Sequence, residues 1–402
     1  MFEKMSFQQV YSALRAEDIS INPSGSYRLG LDFGTSYTKA TYSYKKNPND
    51  VDRKGIRFGY DNRTIPSIVY FDKDTQSLSL FKTKDSYLPV HYFKATMAGK
   101  KEYDVLKEKE ILNMIPDDEL RDNFEFICGM FFLANIIFYS SIYVSHIYHI
   151  QAAAYVSMGM PMSWNNMKAP IYNQAIYGAI MLLTTRPGND FTSLPLSEIY
   201  AAYTESVSDF SNDYFDPRLP DPVHMTLPEV VNEVNFLLDK NNVSEGFYCI
   251  VDIGGGTADF AFVTKESLIC TDEKFFYCKY AVVRELGDEI RKKQESDADI
   301  RKYKSDFSSA FCECCVKGKQ KANKTGKIIV KAFLMGGGAQ KNGEFYKSII
   351  LSSETKRSLD STNIEVKVSI QSDDSMRYVI AKQLAKSDDG VKLLSEIPLH
   401  SI

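Results

Sequence analysis

The sequence predicts a two-lobed α/β protein built on a pseudo-symmetric plan. The chain has 402 residues, which is enough for two or three domains. Two of its segments also repeat one pattern, RLGLDFGTSYTKATY from Arg28 and YCIVDIGGGTADFAF from Tyr248. Each segment has an apolar strand, an aspartate, a glycine-containing turn with a threonine, and a second apolar strand. Such a repeat indicates that one supersecondary unit opens each lobe.

Composition excludes several classes of protein. Hydrophobic residues make up 44% and charged residues 25% of the chain, so disorder is not its dominant state. The net charge of −4 offers no basic excess for a nucleic acid or an anionic membrane surface. The seven cysteines are an odd number in a long chain, which favours reduced, buried thiols over a disulfide framework or a zinc site. The N-terminus lacks the apolar run of a secretory signal, so we expect a cytoplasmic protein.

The first lobe begins after an amphipathic N-terminal extension, residues 1–26, which ends in an Asn-Pro-Ser-Gly turn. The extension is expected to be a partner-binding arm or a strap across the lobe. Apolar alternation then predicts strands, and the charged residues 101–125 are expected to be mostly helical. The predicted strands are YRLGLDFG (27–34), TKATYSYK (38–45), IRFGY (56–60) and TIPSIVYF (64–71).

The stretch from Phe126 to Met167 contains no Asp, Glu, Lys or Arg. Its first 19 residues, FICGMFFLANIIFYSSIYV, are long enough to cross a bilayer. Polar residues lie within it, and no basic cluster follows it. A buried helix that leads into the buried parallel strand YVSMGM gives the same pattern, because such strands are covered on both faces. We therefore expect no membrane span.

The second lobe is expected to begin after a helix at residues 194–209 and a proline-rich crossover at residues 211–228. A helix over PEVVNEVNFLLDK and the strand FYCIVDIGGG follow. The strand KAFLM leads into a glycine turn that opens the helix EFYKSII. The predicted domains are the extension 1–26, a first lobe 27–215, a second lobe 216–372, and a C-terminal helix 373–402 that returns to the first lobe.

The glycine turns carry the chemistry. Glycine lets backbone approach a phosphate closely, and successive N–H groups form an anion-binding nest. The first turn follows Asp32 and precedes Lys39, whereas the second lies between Asp252 and Asp259. Carboxylates beside phosphates require a divalent cation, and Mg²⁺ held largely through water is the natural one. A third turn, at Gly336, leads into a helix whose N-terminus can face a phosphate or a nucleoside.

These residues resemble a known family. LGLDFGTSYTK is similar to the phosphate-1 motif, DIGGGTADF to the phosphate-2 motif and LMGGGA to the adenosine motif of the actin, sugar-kinase and DnaK-type ATPase superfamily. LPLSEIYAAY and MRYVIAKQLA match its two linking segments, so the resemblance covers residues 27 to about 388. It implies an actin-like ATPase fold, with two duplicated RNase H-like lobes around a nucleotide cleft.

The resemblance implies a role for each matching residue, with ATP or ADP and Mg²⁺ as cofactors. Asp32, Asp252 and Asp259 would lie near the metal, mainly through water, while Lys39 would contact phosphate. Glu198 and Asp259 would position the attacking water. The residues implied to bind the nucleotide are Gly34, Thr35, Ser36, Tyr37, Gly254, Gly255, Gly256, Thr257, Gly336, Gly337, Gly338 and Ala339.

Two further sets of residues bear on the branch of the superfamily. Lys39 matches the position at which actin and ParM place a lysine, while DnaK-type proteins use a later one, for which Lys94, Lys100 and Lys101 are candidates. A solvated surface position is the alternative for Lys94. Glu313 and Lys317 faintly resemble an adenine-clamping helix, and a solvated helix face is the alternative for them.

The implied activity is slow, Mg²⁺-dependent ATP hydrolysis, because no arginine finger is evident. The first functional hypothesis is a nucleotide-driven, chaperone-like switch that acts on a protein partner. The first alternative is a ParM-type filament, and the second, less favoured, is a small-molecule kinase. The 64 residues after Gly338 complete the ATPase fold but leave no room for a peptide-binding domain. A protein partner or self-association is therefore expected, and no nucleic acid is indicated.

Overall fold

The computed structural model describes residues 5–16, 22–47, 50–59, 63–97, 106–160, 165–185, 191–213, 226–228, 233, 236, 244–267, 274–371 and 379–385. The protein is mixed α/β. Unit 1 comprises Met1–Gly159 and Met167–Leu227, and unit 2 comprises Met160–Asn166 and Pro228–Ile402. The predicted lobe boundaries at residues 215/216 and 372/373 lie outside the described residues, and they stay predictions.

Unit 1 combines a large sheet, a small sheet and helices. Its elements are α1 (Phe7–Ala16), β1 (Asn22–Phe33), β2 (Tyr37–Asn47), β3 (Asp50–Gly55), β4 (Ile65–Pro66), β5 (Val69–Asp72), β6 (Ser77–Ser79), β7 (Leu88–Val90), α2 (Phe93–Met97), α3 (Leu106–Asn113), α4 (Asp118–Asp122), α5 (Phe124–Tyr148), β8 (Ile150–Met160), α6 (Asn165–Thr185), β9 (Ser193–Pro195), α7 (Leu196–Asp213) and β10 (Thr226–Pro228).

The large sheet of unit 1 has the strand order β10-β8-β1-β2-β3, with β4 paired to β2. β1 is antiparallel to β2 and parallel to β8, and β2 is antiparallel to β3. The small sheet has the order β7-β5-β6-β9. The aspartate that ends the first apolar strand, Asp32, therefore lies at an end of the large sheet, next to the turn into β2.

The uncharged stretch forms the core of unit 1. α5 is the described helix that is long and apolar enough to cross a membrane, with a mean hydropathy of 1.8 over its most apolar window. Of that window, 83% is buried inside the protein. Phe132 of α5 stacks on Phe33 of β1 at 5.9 Å, and β8 follows parallel to β1. The prediction of a buried helix leading into a parallel strand is confirmed, but the strand is only partly buried, because Tyr155 of β8 is 62% exposed.

Three local predictions in unit 1 need correction. β1 begins at Asn22 rather than after a turn at residues 22–25. IRFGY is not a strand, because β3 ends at Gly55 and the buried Phe58 instead packs under α1, 5.4 Å from Phe7. TIPSIVYF is divided into β4 and β5 by the buried Ser67. The N-terminal extension forms the ordered helix α1, whose Tyr11 donates a hydrogen bond to Asn135 of α5 at 3.2 Å.

Unit 2 has one sheet with helices against it. Its elements are β11 (Gly246–Ile253), β12 (Ala258–Ser267), β13 (Lys274–Arg284), α8 (Asp288–Lys292), α9 (Asp297–Lys321), β14 (Ile328–Met335), α10 (Gly336–Ile350), α11 (Ser353–Asp360), β15 (Ile364–Ile370) and α12 (Val379–Leu384). The strand order is β13-β12-β11-β14-β15, with the first three strands antiparallel and β11, β14 and β15 parallel. α9 packs on this sheet through one buried core that contains Phe262, Phe307 and Cys314.

The two units share an order of elements. In each, three antiparallel strands come before a 25-residue helix, and a strand parallel to the first strand comes after it. β4–β7 and α2–α4 lie between the three strands and the helix in unit 1, and α8 lies between them in unit 2. The helix is α5 in unit 1 and α9 in unit 2. The repeated sequence pattern thus corresponds to a repeated local structure, which brings the strand-terminal Asp32 and Asp252 to equivalent places.

Candidate functional site

The two predicted glycine turns close hairpins of identical register. In the β1–β2 hairpin, Asp32 lies opposite Lys39, and in the β11–β12 hairpin, Asp252 lies opposite Asp259. Four residues connect the last paired positions in each case, which are residues 34–37 (the first loop) and residues 254–257 (the second loop). One polar pair therefore flanks each loop: an ion pair in unit 1 and two carboxylates in unit 2.

The first loop is held by Ser67, which lies between β4 and β5. The Ser67 hydroxyl donates to the carbonyl oxygen of Gly34 at 2.7 Å, and the Ser67 N–H donates to that of Ser36 at 2.9 Å. A side chain on Gly34 would collide with the carbonyl oxygen of Tyr37, so the tight turn requires glycine there. Both loop carbonyls are thus directed towards Ser67.

The second loop is held by the N-terminus of α8. The N–H of Gly287 donates to the oxygen of Gly256 at 3.1 Å, that of Asp288 to Gly254 at 2.9 Å, and that of Glu289 to Gly255 at 2.8 Å. The three donors are N-terminal amides that a helix leaves without an intrahelical acceptor. The loop carbonyls and the helix amides therefore satisfy each other's hydrogen-bonding capacity, and these bonds hold the loop in place.

The direction of these carbonyls sets the direction of the loop amides. In a planar trans peptide, the N–H of one residue points opposite to the C=O of the residue before it. Because the carbonyls of residues 254–256 point to α8, the N–H groups of Gly255, Gly256 and Thr257 point away from it. Three successive N–H groups with a common direction form the kind of nest that binds anionic oxygen atoms.

The carboxylates of Asp252 and Asp259 face each other across the β11–β12 hairpin. Their neighbours in sequence, Ile253 and Ala258, belong to the core under α9, so alternation places both carboxylates on the opposite face of the sheet. Asp252 is buried, with 9% of its surface exposed. Two carboxylates in directly opposed positions can bind one divalent cation between them.

The donor set agrees with one cation in particular. Mg²⁺ is typically bound by one or two carboxylates, with water and substrate phosphates as its other ligands. Asp252 and Asp259 supply such a pair beside an anion-binding loop. Among the described residues, no group of three or more His, Cys, Asp or Glu side chains surrounds a common point. The pair Asp252 and Asp259 fits a magnesium ion that is shared with a phosphate.

The third glycine run is the first turn of α10 and not a turn that precedes the helix. α10 begins at Gly336, directly after Met335, which pairs with Asp252 across β11 and β14. Gly336 has a positive φ of 81°, and a Cβ there would lie 2.8 Å from the carbonyl oxygen of Ile253. A Cβ on Gly338 would lie 2.5 Å from Ile253 Cγ2. Close packing against β11 accounts for these two glycines, and it places the N-terminus of α10 beside the second loop.

Gly337 is different, because packing does not account for it. No described atom lies within 4 Å of the position that a Cβ on Gly337 would occupy. Glycine in a helix costs about 0.8–1.0 kcal/mol relative to alanine. The open space at Gly337 is next to a helix N-terminus whose dipole favours anions, so a bound group that approaches the backbone would give this glycine a function.

Two lysines lie next to the first loop. Lys39 Nζ is 2.5 Å from Asp32 Oδ2 in a largely buried ion pair. Lys94 of α2 is only 3% exposed, and its Nζ lies 5.7 Å from the centroid of the Phe33 ring. The alternative that Lys94 is a solvated surface residue is wrong, because its amine packs against Phe33, the residue that precedes the first loop. Lys100 and Lys101 lie outside the described residues. Glu198 is half-buried in the first turn of α7, and its role stays a prediction.

Glu313 and Lys317 are brought to each other beside the edge strand β13. Lys317 donates to Glu313 at 2.8 Å, and Tyr280 and Arg284 of β13 donate to the same carboxylate at 2.7 Å. The hydrogen bond from Lys317 lowers the pKa of Glu313. Arg284 ends β13 opposite Ala258, the residue that follows the second loop, and Tyr280 lies about 13 Å further along the strand. The network ties α9 to an edge strand, and a contact with adenosine stays a prediction.

Sequence reasoning missed two residues that hold the loops in place, Ser67 and Asp288. Asp288 is 4% exposed and accepts hydrogen bonds from Arg291, Asn342 and Tyr346. The available signals were the serine that interrupts the apolar run TIPSIVYF and the Gly-Asp pair at residues 287–288, shortly after β13. Neither signal names a partner that is 33 to 58 residues away, so only the folded chain reveals the contacts.

Comparisons with known proteins do not identify a relative. No protein-family model matches the chain, and no curated protein matches it by sequence. The function is therefore inferred from the residues and their geometry.

Proposed function

We propose that the protein binds Mg²⁺ and ATP through the second loop and the N-terminus of α10, and that it hydrolyses ATP slowly. The observation that carries the proposal is the common direction of three loop amides beside two opposed carboxylates and an open helix N-terminus. A nest binds phosphate oxygens, the carboxylate pair suits a hydrated magnesium ion, and the space at Gly337 admits a nucleoside. The shared order of elements in the two units supports the resemblance to the duplicated actin-like ATPase fold.

The residues of this chain have distinct parts in the proposed reaction. The amides of residues 255–257 bind and orient phosphate oxygens and stabilise charge on the transferring group. Asp252 and Asp259 hold magnesium-bound water, and the ion neutralises phosphate charge when bound. Asp259 orients the attacking water and accepts its proton. In unit 1, Lys39 and the buried Lys94 supply positive charge at the first loop, where Asp32 balances the charge of Lys39.

The proposed output is a change of conformation that a protein partner reads, as in a nucleotide-driven switch. The buried position of Lys94 favours this reading over a filament, because the lysine of DnaK-type switches comes from a later part of the first lobe. Pelleting that depends on ATP and on protein concentration, measured by sedimentation, would instead support the ParM-type alternative.

Gly337→Ala tests the nucleotide proposal without disturbing the fold. The added methyl group meets no described atom, and alanine is the better helix former, so the melting temperature should stay the same or rise. The methyl group would occupy the space assigned to the nucleotide, so the affinity for Mg·ATP should fall at least about tenfold, or ~1.4 kcal/mol.

Gly326→Ala is the matched control, because a Cβ there also meets no described atom and Gly326 lies in an exposed turn before β14. Equilibrium binding and thermal melting are measured on both variants and on the parent protein. Equal affinity for Mg·ATP in all three proteins would refute the assignment of this space to a nucleotide.

A further inference from the structure

Asp288 lies at the place where the second loop meets α10. Its N–H donates to the carbonyl oxygen of Gly254, and the adjacent Gly287 and Glu289 bond the other two loop carbonyls. A Cβ on Gly338 of α10 would lie 3.1 Å from Asp288 Cβ. One residue thus contacts the loop through its backbone and the start of α10 through its side chain.

The side chain of Asp288 is buried and fully engaged. Oδ1 accepts hydrogen bonds from Arg291 Nε at 2.8 Å, Asn342 Nδ2 at 2.8 Å and Tyr346 Oη at 3.3 Å, and Oδ2 lies 3.1 Å from Lys292 Nζ. Burial alone would raise the pKa of this carboxyl, but the hydrogen bonds from Arg291 and Lys292 outweigh it and hold the pKa below its ordinary value. The group is therefore a fixed, charged acceptor.

The contact with Asn342 coincides with an irregularity of α10. The helix leaves helical geometry at Asn342, where φ is −136° and ψ is 29°. The side-chain amide of Asn342, at this irregular position, donates a hydrogen bond to Asp288 Oδ1 at 2.8 Å. One residue, Asp288, is therefore bonded to the second loop through its N–H and to the irregular position of α10 through its carboxylate.

We propose that Asp288 is a positioning residue that couples the second loop to α10, so that phosphate contacts and nucleoside contacts form together rather than independently. The identity of the ligand as a nucleotide rests on the proposed function, whereas the coupling between the second loop and α10 does not depend on it. A local ion pair within α8 would also explain the bonds from Arg291 and Lys292. It would not explain why Asn342 and Tyr346, more than 50 residues later, converge on the same oxygen.

Hydrogen–deuterium exchange without nucleotide tests the coupling. Asn342→Ala removes a side chain of α10, and coupling predicts about tenfold faster exchange at the amides of residues 287–289 as well as within α10. Asp288→Asn should affect the same two segments. Asp306→Asn is the control, because Asp306 forms an exposed ion pair with Lys302 on α9. If Asn342→Ala changes exchange in α10 alone, the coupling is refuted whatever the protein binds.

Binding of nucleotide fragments tests the consequence. With Mg²⁺ present, pyrophosphate should tighten adenosine binding to the parent protein several-fold, and Asp288→Asn should remove most of that gain while each fragment still binds. Cooperative binding that persists in Asp288→Asn would overturn the inference and leave the proposed function intact. Absence of ATP and fragment binding in the parent would refute the proposed function, and the exchange experiment would then decide the coupling by itself.

Discussion

Replacing Gly287 with alanine should displace the second loop. Gly287 has φ −72° and ψ 171°, which alanine adopts without strain, so the effect comes from the added methyl group alone. That group would collide with the carbonyl of Gly255 and lie 2.6 Å from the carbonyl carbon of Gly256. Carbon atoms pack at about 3.5–4.0 Å, so the loop backbone must move by about 1 Å.

The size of the effect follows from the bonds that such a shift strains. Three hydrogen bonds join the loop to the start of α8, and each is worth about 1 kcal/mol, so Gly287→Ala should cost about 2–3 kcal/mol of unfolding free energy. A catalytic group misplaced by about 1 Å can lose a factor of about 100 in rate, and a comparable loss of ATP turnover is expected.

Urea unfolding and steady-state ATP hydrolysis measure the two effects, with Gly326→Ala as the control for a glycine-to-alanine change in open space. The control should stay within about 0.5 kcal/mol of the parent protein. If Gly287→Ala matches the control in both assays, the loop does not pack against α8 as described, and the amide directions inferred from that packing are wrong.

Three further predictions test other parts of the structure. Burial raises the pKa of the Cys278 thiol from 9.0 to about 12, so the thiol ionises more easily in the unfolded chain than in the folded protein. The stability that the buried neutral thiol provides is therefore complete below pH 9 and is lost as the pH rises towards 12. At pH 10 the loss of unfolding free energy is about 1 kcal/mol, and a Cys278→Ala variant melted at pH 8 and pH 10 should not show this loss. Lys94→Met removes a buried positive charge beside the first loop and should lower ATP turnover about 100-fold; unchanged turnover would show that Lys94 has no part in the reaction. Tyr11→Ala should lower the unfolding free energy by about 3 kcal/mol or more, because it removes a buried ring between α1 and α5. Tyr155→Ala is the control, since Tyr155 is 62% exposed, and it should lower the unfolding free energy by no more than about 0.5 kcal/mol. Equal losses in urea unfolding would show that α1 does not pack against α5.

Features encoded in a local pattern were predictable from the sequence. The uncharged run from Phe126 to Met167 predicted a buried helix and a following parallel strand, and the structure has the largely buried α5 and the parallel strand β8 there. The repeated Asp–Gly segments predicted two equivalent hairpins, and their registers agree residue for residue. These predictions succeeded because hydrophobic periodicity and turn residues act over a few positions along the chain.

Features set by distant contacts were not predictable. IRFGY has the alternation of a strand, yet Phe58 packs beneath α1 because the N-terminal helix supplies the aromatic residue Phe7. Lys94 looks like a surface lysine in sequence, but folding places it against Phe33. The role of Asp288 depends on Asn342, which is close only in the folded protein. In each case a partner far away in sequence decides the outcome, and no local pattern encodes it.

The central claim is that the amides of the second loop and the start of α10 receive a nucleotide. Selective ¹⁵N labelling of the 22 glycines allows Mg·ATP to be titrated while individual amide resonances are followed. The account predicts saturable shifts at Gly255, Gly256 and Gly337 and a constant signal from Gly326. Resonances that stay unchanged at all three of these glycines up to millimolar Mg·ATP would contradict it.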